Sequence, residues 1–223
     1  MSKKVLQIIS LVLSITGLIY LILAYYGIIR YIKLHVVSTE TYINNYTKLP
    51  KASKDRVTIC FAANPDELGK LKPFINSILD QTVRVDDIAL TIPYKDMEKV
   101  PENLKKVLSA YGYSKDYDNA GNLVCSVLRE PEANTKIIVV EPNMVYGQDF
   151  VETMIEESGK NIDKIIYADK SKQPKWGILL QPKFFDDKIS NYEKGKGCCP
   201  WLEECCQAES EIIEYSPTYK NLL

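Results

Sequence analysis

Residues 136–150, KIIVVEPNMVYGQDF, carry an apolar run from Ile137 to Val140 that stops at Glu141, turns through Pro142 and Asn143, and resumes at Met144. A buried strand that ends in polar atoms is how α/β proteins present ligand-binding groups at a sheet edge. A carboxylate and an amide oxygen two positions apart can hold Mn2+ or Mg2+, which prefer hard oxygen ligands. Glu141 and Asn143 are therefore the candidate metal ligands, with Pro142 stiffening the tip and removing one N–H.

Other reactive residue types are placed less suggestively. His35 is the only histidine and precedes the region of strand-helix alternation, so a Ser-His-Asp relay is not expected. The stretch GCCPWLEECC sets Cys198, Cys199, Cys205 and Cys206 as two adjacent pairs, without the C-x₂₋₄-C spacing of a zinc site. Disulfides in an oxidising compartment, packed thiols in a reducing one, and a metal site all remain open for them. Cys60 and Cys125 lie in apolar runs and read as core. Asp86-Asp87 reads as a solvated turn and Asp186-Asp187 as a cap or surface pair; Trp176 and Trp201 are core or sugar-stacking rings.

The elements that must position these groups alternate in type. Val57 to Ala63 (VTICFAA) is a β-branched apolar run of strand length. Asn64 then caps a helix that opens on Pro65, with Glu67 reaching back and an apolar stripe from Leu68 through Leu71, Phe74, Ile75, Ile78 and Leu79. A strand at Ile88–Ile92, a helix from Pro101 to Tyr111, a helix at Asn122–Arg129, the strand Lys136–Glu141, a helix at Gln148–Glu157 and a strand at Lys164–Ala168 follow. This alternation predicts an α/β fold with a mainly parallel, Rossmann-like sheet and helices on both faces. Neither a G-x-G-x-x-G fingerprint nor a GxxxxGK[ST] loop occurs, which excludes the common dinucleotide and P-loop readings. Twenty-eight basic residues balance 29 acidic ones with no basic block, so no nucleic-acid partner is expected.

Ahead of this domain, Val5 to Ile29 is uncharged for 25 residues, enough to cross the roughly 30 Å hydrocarbon layer. Tyr25 and Tyr26 suit the interface, and RYIKLHVV follows in place of a small-x-small cleavage site, so an uncleaved anchor is expected. The organisation read from the sequence is an anchor at 1–29, a stem without sustained period at 30–56, and a domain at 57–223. Lys3 and Lys4 against Arg30 and Lys33, with the sequon Asn45-Tyr46-Thr47, lean towards a single-pass type II arrangement with the domain luminal or extracytoplasmic.

Several stretches together resemble a GT-A-fold glycosyltransferase similar to the family-two enzymes. INSILDQTVRVDDIALTI is similar to the family's segment before the nucleotide-bearing strand, and VPENLKKVLSAYG to the helix after it. DNAGNLVCSVL resembles a donor-binding turn and helix, and KIIVVEPNMVYGQDFVETMI the strand, acidic tip and helix that carry the DxD signature. WGILLQPKFFDD is similar to a strand and loop on the acceptor side. The resemblance covers residues 57 to 206 and implies a nucleotide sugar as donor. It assigns Ala63, Asn64, Gly121, Cys125 and Glu141 to the donor, Glu141 and Asn143 to Mn2+ or Mg2+, and Glu203 or Glu204 to the catalytic base.

The chain departs from that pattern at three chemical roles. Glu-Pro-Asn replaces Asp-x-Asp, Cys125 stands where a phosphate-facing lysine is expected, and Cys198-Cys199-Pro200 replaces an acidic pair ahead of Trp201-Leu202. Two function classes follow. One is a membrane-anchored glycosyltransferase whose acceptor site is shallow or completed by a protein partner. The other is a GT-A-like binding or scaffold module that has lost turnover.

Overall fold

Val57–Ala62 (β1) is extended because Val57, Thr58, Ile59 and Phe61 are β-branched or aromatic, and it is buried on both faces. The computed structural model describes residues 2–115, 117, 120–172, 177–191 and 204–215. Around β1 they form a sheet with β2 (Asp87–Pro93), β3 (Ser109–Tyr113), β4 (Lys136–Val139), β5 (Lys164–Tyr167), β6 (Ile178–Leu180) and β7 (Glu209–Ile212), in the order β3-β2-β1-β4-β6-β5-β7. All neighbours pair parallel except β6, which runs antiparallel to both β4 and β5.

Alternation along the strands divides the core into two layers. Ile59 and Phe61, Leu90 and Ile92, Ile138 and Val140 point to one face, where they meet Phe74, Ile75 and Ile78 of α4 (Lys72–Leu79) and Phe150, Val151 and Met154 of α7 (Phe150–Lys160). Cys60, Ala89, Ile137 and Val139 point to the other, against Leu123, Val124 and Val127 of α6 (Gly121–Arg129). The expected class therefore holds: a mainly parallel α/β sheet with helices on both faces, preceded by an apolar helix, α1 (Lys3–Tyr25). That helix has no buried residue and is long and apolar enough to cross a membrane.

Four local expectations fail, each for a physical reason. The single helix expected from Pro65 to Leu79 is broken into a 3₁₀ turn, Pro65–Lys70, and α4, because Pro73 can be accommodated only in a first helical turn. The helix expected to Tyr111 stops early: α5 covers Glu102–Lys105, and Ser109–Tyr113 instead adds β3 to the open edge of β2. There Gly112 lets Tyr94 approach, since a Cβ at that position would lie 2.8 Å from the Tyr94 ring. Residues 209–212, expected only as part of the 57–223 domain with no strand of their own, pair with β5 as β7.

The fourth concerns residues 30–56, which hold two helices rather than an aperiodic segment, α2 (Ile28–Val36) and α3 (Thr39–Tyr46). Both pack on α4. Leu34 is fully buried, worth about 2 kcal/mol. The buried Asn76 amide donates to the carbonyls of Leu34 (2.8 Å) and Val37 (3.4 Å), satisfying helix-end acceptors. Arg30 pairs with Asp80 at 2.6 Å, and the Val85 N–H donates to the Tyr46 hydroxyl at 2.8 Å.

Candidate functional site

Strand order reverses at β1: α4 carries the chain towards β2 and β3 on one side, and α6 returns it to β4 on the other. Such a switch point opens a crevice beyond the carboxyl ends of the two strands. Here the last rung is Val140 N–H to the Cys60 carbonyl, 2.9 Å. Beyond it β1 leads into Ala63, which is buried, and Asn64, which is exposed, while β4 leads into Glu141.

Asn122, in the first turn of α6, bridges the two strand ends. Its amide donates to the carbonyls of Cys60 (3.3 Å) and Val140 (3.2 Å), and its Oδ1 is buried without a hydrogen-bond partner among the described residues. The preceding Gly121 is buried, and an added Cβ would make only an ordinary 3.6 Å contact with Tyr117. Glu67 reaches back as expected at Asn64: the Asn64 N–H donates to Glu67 Oε2 at 3.0 Å, while Glu67 N–H closes the first 3₁₀ turn on the Asn64 backbone carbonyl at 2.9 Å.

The loop after β4 is fixed from behind. Glu141 N–H donates to the Tyr146 hydroxyl at 3.0 Å, and Met144 N–H to the Glu141 carbonyl at 3.3 Å. Burial, with the Glu141 charge adding to it, raises the Tyr146 pKa and keeps its hydroxyl protonated. The Tyr146 amide donates to Ser77 Oγ (3.2 Å), Gln81 donates to the Gly147 carbonyl (2.6 Å), and Arg30 donates to the Tyr146 carbonyl (2.9 Å). Glu141 is half-buried and Asn143 exposed, so the tip is accessible on a rigid support.

Three of the expected groups thus meet at one edge: Ala63-Asn64, Gly121, and Glu141-Asn143. Cys125 lies one turn further along α6, half-buried, with burial pushing its thiol up to about 11 against the Arg129 charge. A neutral thiol supplies no cation for a phosphate. Glu204 is exposed and stands elsewhere. It lies two residues before the Phe185–Cys206 bridge, and Phe185 follows the end of β6 that pairs with the start of β4. That is the opposite edge of the sheet from Glu141. Glu203, Cys198, Cys199, Trp176 and Trp201 lie outside the described residues.

Among the described residues no group of three or more His, Cys, Asp or Glu side chains is placed to hold a metal ion. One carboxylate and one amide suit an ion that shares its shell with diphosphate oxygens and water, not a dedicated protein cage. The Asp86-Asp87 pair is not a solvated turn. Asp86 accepts the Val57 N–H at 3.0 Å and pairs with Lys51, while Asp87 accepts from Ser109 (2.8 Å) and Tyr111 (3.0 Å). Cys60 is fully buried as expected, and it, Cys125 and Cys206 are free thiols.

The sequence reading passed over Asn122 as a site residue and Tyr146 as a support. Asn122 could have been found as the polar residue one position ahead of the Leu123-Val124 core pair at a helix start. Nothing local marks Tyr146, whose partner is the backbone five residues earlier.

No protein-family model matches the sequence, and no curated protein matches it either. Among solved structures, the mannosyltransferase PcManGT from Pyrobaculum calidifontis in complex with GDP-Man and Mn2+ is similar at TM-score 0.42 and 11% identity, over 70% of this chain and 47% of that one. The 4-diphosphocytidyl-2C-methyl-D-erythritolsynthase from Anaerococcus prevotii DSM 20548 is similar at TM-score 0.48 and 11% identity, over 71% of this chain and 86% of that one. The chain spans about half the length of the mannosyltransferase. At these scores neither likeness bears on which reaction the chain performs.

Proposed function

We propose that the chain is a membrane-anchored, GT-A-like glycosyltransferase that moves a sugar from a nucleotide-sugar donor to a hydroxyl acceptor. The observation that carries this reading is the convergence of Ala63-Asn64, Gly121-Asn122 and Glu141-Asn143 at the edge where strand order reverses. The N-terminus of α6, nine residues long, offers backbone N–H groups and the positive end of its dipole to a diphosphate there. Ala63 and Asn64 would flank the nucleotide, and Gly121, the first residue of α6, would lie beside its diphosphate. Glu141 and Asn143 would hold Mn2+ or Mg2+ jointly with the diphosphate; the ion, when bound, neutralises charge on the leaving group.

In the transfer the acceptor oxygen bonds to the anomeric carbon as the bond to the diphosphate oxygen breaks, its electron pair leaving with the phosphate. The hydroxyl proton passes to a carboxylate. With Glu204 held at the opposite edge, a base role for it requires the segment before β7 to swing towards the tip; Glu203, the other candidate, lies outside the described residues. The same displacement favours a second reading, a module that binds the nucleotide sugar without turning it over. In both readings α1 crosses the bilayer once, with the domain on the extracytoplasmic side; in the first, a protein partner completes the acceptor surface.

Calorimetric titration of the full chain in detergent with UDP and GDP, with and without Mn2+, tests the donor site. Metal-dependent binding that disappears in Glu141→Ala is expected. Absence of binding under either condition overturns the reading. Binding without release of nucleoside diphosphate from any donor sugar selects the second one.

A further inference from the structure

We propose that the outer face of α2 rests on the bilayer surface, so that the domain is seated on the membrane rather than carried on a stem. The proposal rests on the reading of α1 as a bilayer span. Tyr26 and Gly27 alone separate α1 from α2, and Gly27 takes a left-handed φ of 72°, which lets the chain leave the span axis. The two sides of α2 then differ. Arg30 and Leu34, four residues apart and on one stripe, face α4: Arg30 reaches Asp80 and the Tyr146 carbonyl, and Leu34 is fully buried. Ile32 and Val36, also four apart, form the opposite stripe and are 52% and 72% exposed.

The side chains of Tyr25 and Tyr26, at the end of the span, are exposed as well. Exposed Lys33 and His35 flank the aliphatic pair, suited to headgroups beside an apolar stripe that dips about 5–10 Å into the interface. A loose 27-residue stem could reach on the order of 90 Å from the bilayer. The docking of α2 and α3 on α4 removes that reach and holds the Glu141–Gly147 loop, through Arg30, at a fixed place relative to the lipid surface.

The test uses the full chain reconstituted in phosphatidylcholine–phosphatidylserine vesicles containing a lipid nitroxide-labelled near its headgroup. A fluorescent non-natural side chain is placed singly at Tyr20, Ile32, Val36 or Ile162, the last being exposed in the turn between α7 and β5. Loss of about half of the emission or more is expected at Tyr20, Ile32 and Val36, with Ile162 unchanged. Quenching at Tyr20 with Ile32 and Val36 as unaffected as Ile162 overturns the proposal and leaves the anchor reading standing. No quenching even at Tyr20 overturns both, while the nucleotide titration still decides the donor site separately.

Discussion

At the N-terminal edge of the sheet Arg56, just before β1, donates to Glu130 at 2.9 Å and lies 3.7 Å from Asp87, the first residue of β2. Arg129 adds a second cation, 3.3 Å from Glu130 and stacked 4.2 Å over the Tyr111 ring. Charge there meets charge from the same chain, and hydroxyls of Ser109 and Tyr111 complete the Asp87 shell. At the C-terminal edge, Asn64 after β1, Asn122 at the start of α6 and Glu141 after β4 stand beyond the strand ends, where Asn122 ties the Cys60 and Val140 carbonyls together and the Tyr146 hydroxyl holds the Glu141 amide. An edge whose carboxylates are held by cations and hydroxyls of the same chain is built for stability. An edge that gathers polar residues beyond the ends of its strands is where the proposed ligand would lie, so substitutions at the two edges should separate folding from binding.

The largest effect belongs to the N-terminal edge. Glu130→Ala leaves Arg56 and Arg129 without their shared carboxylate and is expected to destabilise the chain by about 3 kcal/mol, read as a lower urea midpoint. Nucleotide affinity of the folded fraction should not change; a parallel loss of affinity would break the division between edges. Next in size is Asn122→Asp, which sets a carboxylate against two carbonyls that now receive N–H donors. A loss of about 2 kcal/mol is expected in the same assay, together with weaker nucleotide binding, since this residue stands at the crevice itself.

Much of the sheet was legible in the sequence because β1, β2, β4 and β5 are buried on both faces and therefore read as continuous apolar runs. The tip of β4 was legible for the same reason: the run ends abruptly at Glu141. What escaped was set by partners rather than by local pattern. Ser109–Tyr113 is a strand because β2 has an edge to fill, and α2 and α3 are helices too short to stand without α4. Asp86-Asp87 looked like a turn because nothing nearby in sequence announces Lys51, Ser109 or Tyr111 as partners. The base candidates rested on the resemblance alone: Glu204 stands at the N-terminal edge, held there by long-range pairing that its local sequence does not announce, and Glu203 lies outside the described residues.

A smaller effect at the N-terminal edge comes with a pH signature. Burial alone would raise the Asp86 carboxyl, but hydrogen bonds from Lys51 and the Val57 amide, with the charges of Lys51 and Arg56, outweigh it and hold the group below the usual carboxylate range. A depressed folded-state pKa means a contribution present above the unfolded value of about 3.9 and lost as pH falls through the folded one. Asp86→Asn should therefore be less stable than wild type at neutral pH, with the gap closing below about pH 4 in acid unfolding curves. A gap that stays constant to low pH would show that the carboxylate's charge is not what ties Val57 and Lys51 to this edge.

Glu141→Gln should move stability least of all. Glu141 is only half-buried and Gln is nearly its isostere, so the substitution is expected to stay within about 0.5 kcal/mol of wild type. The amide nevertheless removes the tip's only negative charge within Glu141-Pro142-Asn143. Affinity for UDP or GDP should then lose its dependence on Mn2+ while any metal-independent binding survives at the α6 N-terminus. If Glu141→Gln instead lowers the urea midpoint as far as Asn122→Asp does, the carboxylate is a structural group, and the C-terminal edge resembles the N-terminal one after all.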